Sequence, residues 1–178
     1  METITIRDKT FELLLPESRI LERIHEMAAR MNHDLSGETP LFIAILNGSF
    51  MFAAELFREI EIPAEICFIK VKSYDGLTSS GKVVNLIGLD QDIAGRTVVI
   101  LEDIIDTGRT LHELIPQVAA KSPGKILVTS LLVKRDALKF PVKVDYPGFD
   151  VPVKFLVGFG LDYEGMGRNL REIYRVIL

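Results

Sequence analysis

Hydrophobic positions fall along this chain in two styles. The unbroken apolar runs Leu41-Phe42-Ile43-Ala44-Ile45-Leu46 and Val98-Val99-Ile100-Leu101, and the mainly apolar stretch from Lys125 to Val133, read as strands buried on both faces, as in a parallel sheet covered by helices. Glu65 to Val71 predicts another strand. Between these runs the apolar residues recur at helical spacing. Pro16-Glu17-Ser18 opens a helix with Ile20, Ile24, Met27, Ala28 and Met31 on one stripe. Phe50 to Ile60 predicts a second helix with Phe50, Ala53, Ala54 and Phe57 inward. Leu111 to Ala120 continues a third, which Pro116 is expected to kink or shorten. The alternation of Thr3-Ile4-Thr5-Ile6-Arg7 predicts a short edge strand, Val83 to Leu89 another, and Ile173 to Leu178 a closing strand. Ser36 to Pro40 and Ser122-Pro123-Gly124 break the chain, and Pro141 to Pro152, centred on Pro147-Gly148, predicts a loop over one side of the sheet. Strands alternating with helices define an α/β fold with a mainly parallel sheet flanked by helices.

Length and charge narrow this further. A chain of 178 residues with 48% hydrophobic content is expected to be one domain, 1–178, with a sizeable core. The net charge of −4 argues against a nucleic-acid partner. No leader-like segment or apolar run of membrane length is present, so a cytoplasmic protein is expected. Cys67, the only cysteine, lies in the apolar run Ile66-Cys67-Phe68-Ile69 and reads as a buried, inert thiol. His25, His33 and His112 stand far apart and read as surface or packing residues.

The candidate chemistry gathers after Leu101. There the apolar run meets Glu102 and Asp103, passes Ile104 and Ile105, and ends on Asp106-Thr107-Gly108-Arg109-Thr110. Ligands in open α/β sheets collect beyond the carboxyl ends of strands, where a following helix offers free backbone N–H groups. Thr107, Gly108, Arg109 and Thr110 supply hydroxyls, a residue without Cβ, a cation and helix-opening amides, so they form a phosphate site. Bare carboxylates would repel a phosphate, so Glu102, Asp103 and Asp106 need a partner. Magnesium, held by one or two carboxylates together with substrate oxygens, is one. Ribose hydroxyls serve equally well, and the same acids would also suit a solvated strand mouth. An aspartyl-phosphate nucleophile is excluded because Glu102 and Asp103 occupy the place directly after the strand, and no Walker loop is present. Asn47-Gly48-Ser49 after Leu46 forms a second strand, glycine turn and helix at the same sheet edge. Lys72 to Lys82 is polar, punctuated by glycine and long for a loop. By pattern alone, Lys134 is a strand-end charge and Phe155 a core aromatic.

Glu102-Asp103-Ile104-Ile105-Asp106-Thr107-Gly108-Arg109-Thr110 resembles the phosphoribosyl pyrophosphate (PRPP) signature of the type I phosphoribosyltransferases, and most of all its hypoxanthine-guanine branch. Further blocks follow in family order from Leu46 to Arg168. The resemblance implies that Leu46, Asn47 and Gly48 form the pyrophosphate loop, often built on a cis peptide, although Asn47 stands where some relatives carry lysine. Ser73 and Tyr74 would begin a flexible lid over residues 73 to 82. Lys134 would recognise the exocyclic oxygen of a purine, Phe155 would stack on the base and Leu156 would offer it backbone hydrogen bonds. Asp162 would help hold a second magnesium and Arg168 would reach pyrophosphate, with Asn169 replacing the family's acid.

The fold implied is a mainly parallel sheet with a small hood from both termini above its carboxyl edge. The implied reaction is purine salvage: hypoxanthine, and guanine beside it, plus PRPP give the nucleoside monophosphate and pyrophosphate. Glu102 and Asp103 would position the ribose hydroxyls and Mg²⁺, and Asp106 would accept the purine N7 proton. The resemblance also implies a homo-oligomer, dimer or tetramer, with no membrane partner. Two alternatives stand beside it: an RNA-binding regulator on the same fold, against which the acidic charge counts, and an enzyme acting on xanthine.

Overall fold

The computed structural model describes residues 2–73 and 84–177. The chain runs β1 (Thr3–Ile6), β2 (Lys9–Leu15), α1 (Glu17–Asp34), β3 (Leu41–Leu46), α2 (Phe50–Arg58), β4 (Glu65–Ser73), β5 (Val84–Ile87), β6 (Thr97–Ile105), α3 (Arg109–Ala119), β7 (Lys125–Val133), β8 (Tyr146–Asp150), β9 (Leu156–Val157) and β10 (Ile173–Val176). The larger sheet has six strands in the order β5-β4-β3-β6-β7-β8. From β4 to β8 neighbours are parallel, and β5 returns antiparallel along β4.

The apolar runs face both sides because side chains alternate along a strand. Leu41, Ile43, Ile45, Val98 and Ile100 pack with Leu111, Leu114 and Val118 of α3. Phe42, Ala44, Val99 and Leu101 pack on the other face with Ile20, Ile24, Met27, Ala28 and Met31 of α1 and with α2. Each large side chain so buried is worth about 1.5–3 kcal/mol. From the central β3 the chain moves outward through α2 to β4 and β5, then returns to β6 beside β3 and moves the other way through α3 to β7 and β8. The strands β3 and β6 thus flank the point where strand order reverses, and their helices leave on opposite faces. A crevice opens between their carboxyl ends.

Over that edge lies a four-stranded antiparallel hood of order β1-β2-β10-β9, drawn from both termini. Its own core is Ile6, Phe11, Val157 and Tyr174. The edge strand expected at Thr3 is present, and β2 joins it to β10.

Three expectations need correction. The inward face of α2 is Phe52, Ala53 and Leu56, whereas Phe50 and Ala54 are exposed and Phe57 is half-buried edge-on to Phe42. The near-uniform apolar run Phe50 to Ala54 leaves the helix phase undetermined, and Glu55 and Arg58, ion-paired to each other, claim the outer face. Pro116 does not shorten α3, which continues to Ala119. Burial of Leu114 and Val118 on either side holds the helix together, and the Gln117 side-chain amide donates to the Glu113 carbonyl beside the missing N–H. Pro147-Gly148 lies in β8, not in a loop. Proline is tolerated on an edge strand, and a Cβ on Gly148 would come within 2.2 Å of the Leu131 carbonyl oxygen, so glycine permits the pairing. Arg23 of α1 donates to the Pro147 and Gly148 carbonyls.

Candidate active site

A cavity of about 430 Å³ occupies the crevice and takes its walls from both layers. Glu102, Asp103 and Asp106 enter from β6 and its loop, Leu46 and Gly48 from the end of β3, and Lys134 from the end of β7. Phe155, Leu156, Asp162 and Arg168 come from the hood side. Thr110 lines both this cavity and a smaller one of about 80 Å³, which Thr107, Gly108 and Arg109 share at the start of α3. Asn47 is exposed and does not line the cavity, and the Leu46–Asn47 peptide is cis. Tyr74 and the rest of the expected lid to residue 82 lie outside the described residues, as does the Ser73 side chain.

The acids at the end of β6 are buried with little to satisfy them. Glu102 is 7% exposed and Asp103 9%, and Oε2 of Glu102 has no hydrogen-bond partner. Burial, first, and then the Asp103 charge push the Glu102 carboxyl well above its usual range. Burial also raises Asp103, opposed by hydrogen bonds from Glu102 and the Ile104 N–H and by the Arg168 guanidinium. Burial and mutual repulsion thus disfavour full ionisation of the pair. No group of three or more His, Cys, Asp or Glu among the described residues would enclose a metal ion. Two adjacent buried carboxylates, one with an unpartnered oxygen, fit a hard cation that takes its remaining ligands from water and substrate. Such a charge offsets the repulsion between the two carboxylates.

Asp106 and Lys134 form an ion pair, Oδ2 to Nζ 2.6 Å, in which the lysine side chain is 9% exposed and the aspartate 51%. The strand-end lysine is thus aimed into the site rather than solvated. Arg168 donates through Nη1 to the Gly160 carbonyl and pairs through Nη2 with Asp162 Oδ1, both at 2.6 Å. Asp162 Oδ2 accepts from the Gly165 N–H at 2.7 Å. Both oxygens of Asp162 are thereby engaged, and it orients Arg168. Arg109 turns along its helix to Glu113 at 2.7 Å while still lining the smaller cavity. Lys139 and Phe140 donate their N–H groups to the Thr107 carbonyl and fix that loop.

Phe155 is 47% exposed at the cavity wall, which corrects its pattern-based reading as a core aromatic. Cys67 is buried, and burial raises its thiol pKa to about 11, in keeping with an inert role. His25 pairs with Glu59, His33 lies beside Asp34 and His112 stacks on Phe140; none lines the cavity. Sequence reasoning missed Gly160. A Cβ there would lie 2.1 Å from the Gly48 carbonyl oxygen, and a Cβ on Gly48 would lie 1.7 Å from Asp103 Oδ2. The closely spaced Gly158 and Gly160 were the available signal.

A cleft at the switch point of a parallel sheet, with a helix-opening phosphate loop and acids beside it, defines a nucleotide-type transferase site, and residues 12–164 match the phosphoribosyl transferase domain family. The chain belongs to that family. It is 39% identical over 173 residues to the hypoxanthine-guanine phosphoribosyltransferase of Aquifex aeolicus, covering 96% of this chain and 97% of that one. It is 37% identical to the hypoxanthine phosphoribosyltransferase of Escherichia coli, covering 95% and 97%. Among solved structures, a hypoxanthine-guanine phosphoribosyltransferase from Bacillus anthracis superposes with a TM-score of 0.85 at 36% identity, covering 94% of this chain and 99% of that one. A hypoxanthine phosphoribosyltransferase from Trypanosoma cruzi, solved as a ternary substrates complex, gives a TM-score of 0.86 at 36% identity, covering 92% and 94%.

Proposed function

We propose that this protein is a purine salvage phosphoribosyltransferase that transfers the 5-phosphoribosyl group of PRPP to N9 of hypoxanthine, and of guanine, giving IMP or GMP and pyrophosphate. The observation that carries the assignment is the single cavity in which the acids of β6, Lys134, Phe155 and Arg168 meet. The 5′-phosphate sits on the amides from Thr107 to Thr110, where the opening of α3 favours an anion. Pyrophosphate takes the other end, against Leu46, Asn47, Gly48 and Arg168. Glu102 and Asp103 hold the ribose hydroxyls between them. Glu102 and Asp103 are the residues that would hold one Mg²⁺ and Asp162 would help hold a second, and when bound these ions would supply positive charge to the leaving pyrophosphate.

As the bond to pyrophosphate breaks, the ribosyl C1 becomes cationic and the buried carboxylates beside it stabilise that charge. The purine stacks on Phe155 and bonds the backbone at Leu156. Its O6 and N7–H edge then replaces the direct contact between Lys134 and Asp106. The ammonium donates to O6 and N7–H donates to the carboxylate, so each charge keeps a partner. Asp106 accepts the N7 proton as N9 bonds to carbon. Adenine presents a donor at the 6-position and leaves the Lys134 ammonium unanswered.

The same reading places the enzyme in the cytoplasm as a homo-oligomer, dimer or tetramer. Its charge of −4 supports a small-molecule over a nucleic-acid partner, and no helix among the described residues is long and apolar enough to cross a membrane. The test is turnover of hypoxanthine, guanine and xanthine with PRPP and Mg²⁺, following nucleotide formation and pyrophosphate release. Hypoxanthine turnover that requires Mg²⁺ is expected. Folded protein that binds PRPP but turns over none of the three bases would overturn the assignment.

A further inference from the structure

Phe155 sits in an irregular stretch just before β9, and its backbone is tied to the hood by the Val176 N–H bonding to its carbonyl at 2.9 Å. That bond fixes the main chain and leaves the ring direction to its neighbours. Phe11, fully buried in the hood core, lies 6.5 Å away, tilted at 53°. Tyr163 lies 5.7 Å away at 79°, an edge-to-face contact, and is itself 6.0 Å from Phe11. The rings therefore support one side of Phe155 while its remaining surface meets the cavity.

Tyr163 is held at both ends. Its backbone exchanges hydrogen bonds with Met166 at 2.9 and 3.0 Å, and its hydroxyl donates to Asp8 Oδ1 at 2.7 Å. Asp8 occupies the turn between β1 and β2, and the ammonium of the adjacent Lys9 lies 5.8 Å from the Tyr163 ring centroid. A phenol donating to a carboxylate is a short, charge-assisted bond, which fixes the ring better than packing alone at a partly exposed position. Neither Tyr163 nor Asp8 lines the cavity.

We propose that Tyr163, anchored through its hydroxyl to Asp8 in the β1–β2 turn, is a positioning residue that holds the Phe155 ring in its purine-stacking orientation and thereby sets purine affinity. The inference rests on the assignment of Phe155 as the stacking ring. An aromatic asked to stack must give up its rotational freedom, and binding is tighter when that loss precedes the ligand. The N-terminal hairpin thus reaches the base site through a chain of contacts, Asp8 to Tyr163 to Phe155, without touching the base.

The experiment measures KM for hypoxanthine, KM for PRPP and kcat in Tyr163→Leu, Tyr163→Phe, Asp8→Ala and Phe155→Leu variants, with folding checked by circular dichroism. Tyr163→Leu should raise KM for hypoxanthine by about 3- to 10-fold, the scale of one aromatic pair, while KM for PRPP stays within about twofold. Tyr163→Phe and Asp8→Ala should each give a smaller and similar rise. Combining them should add little, since both remove the same bond. The exposed Asp8 provides the arm that survives should Tyr163→Leu fail to fold. An unchanged hypoxanthine KM in folded Tyr163→Leu or in Asp8→Ala, or an equal rise in both KM values, would overturn the inference. Phe155→Leu separates the two levels. If it leaves hypoxanthine KM unchanged, the stacking assignment falls and this inference with it; if it raises KM while Tyr163→Leu does not, only the positioning role falls.

Discussion

Glu102→Gln should make the free protein more stable while weakening its grip on Mg²⁺ and PRPP. The carboxyl is 7% exposed, its Oε2 has no partner, and its ionised form faces Asp103. An amide of the same shape still donates to Asp103 and never has to bind a proton on folding. Holding a proton that the unfolded chain releases costs about 1.4 kcal/mol for each pH unit between 4.5 and the folded pKa or pH 7, whichever is lower, so a cost of about 1–3 kcal/mol is expected at pH 7. For a chain of this size each kcal/mol moves Tm by about 2–4 °C, so the variant should melt roughly 2–12 °C higher at pH 7. The pH dependence has a definite sign. The folded pKa of Glu102 lies above its ordinary 4.5, so between those values the native state holds a proton that the unfolded state releases. Wild-type stability therefore falls as pH rises from about 4.5, and the advantage of the glutamine variant should vanish at or below that pH. Saturating Mg²⁺ and PRPP stabilise by mass action whichever form binds them, so they should raise the wild-type Tm more than the variant's. Calorimetry from pH 4 to 8, with and without Mg²⁺ and PRPP, reads all three effects. Coincident melting curves across that range, or a variant less stable at pH 7, would refute the account of Glu102 as a buried acid awaiting a cation.

Asp106→Asn should lower kcat by about 10²- to 10⁴-fold with little change in KM for PRPP; an unchanged kcat in steady-state assays would remove Asp106 from proton transfer. Lys134→Gln should raise KM for hypoxanthine and guanine and weaken the rejection of adenine, since an amide accepts as well as donates; competition assays among the bases check this. Gly48→Ala should raise KM for PRPP by on the order of tenfold or more while leaving the fold intact, because its Cβ would lie 1.7 Å from Asp103 Oδ2; kinetics alongside thermal unfolding separate the two effects.

The centre of the larger sheet was legible because β3, β6 and β7 are buried on both faces and so leave long apolar runs, with chemistry starting where a run meets charge at Glu102. Positions decided by distant partners were not. The apolar run Phe50 to Ala54 does not by itself mark Phe52 rather than Phe50 as inward, and the phase of this short helix follows instead from its packing on Phe42, with the Glu55 and Arg58 pair on the outer side. Pro147 reads as a loop until the edge of the sheet is known, because only there is its missing N–H harmless. The pairing of Lys134 with Asp106 joins the ends of adjacent parallel strands through a contact 28 residues apart in sequence, beyond the reach of any periodicity. The signature at β6 suggested the site's chemistry, whereas the engagement of both Asp162 oxygens and the rotation of Arg109 toward Glu113 depend on rotamers that composition does not encode.

The glycines at the base of the cavity show why hood and sheet act as one. Gly48, at the end of β3, lies between the Asp103 carboxylate and the backbone of Gly160, so close that a Cβ on it would lie 1.7 Å from Asp103 Oδ2 and one on Gly160 would lie 2.1 Å from the Gly48 carbonyl oxygen. Gly160 adopts φ of +99°, and its N–H and carbonyl are both bonded to Arg168, to the backbone oxygen at 3.0 Å and to Nη1 at 2.6 Å. A hood segment carrying Arg168 therefore rests on the β3 loop, which in turn rests on the acids of β6. Any side chain at either glycine would push Arg168 and Asp103 apart, altering the distance between the guanidinium and the acids of β6. Close backbone packing sets the spacing of the two loops, and the Arg168 contacts to the Gly160 carbonyl and Asp162 then fix where the guanidinium stands above the acids.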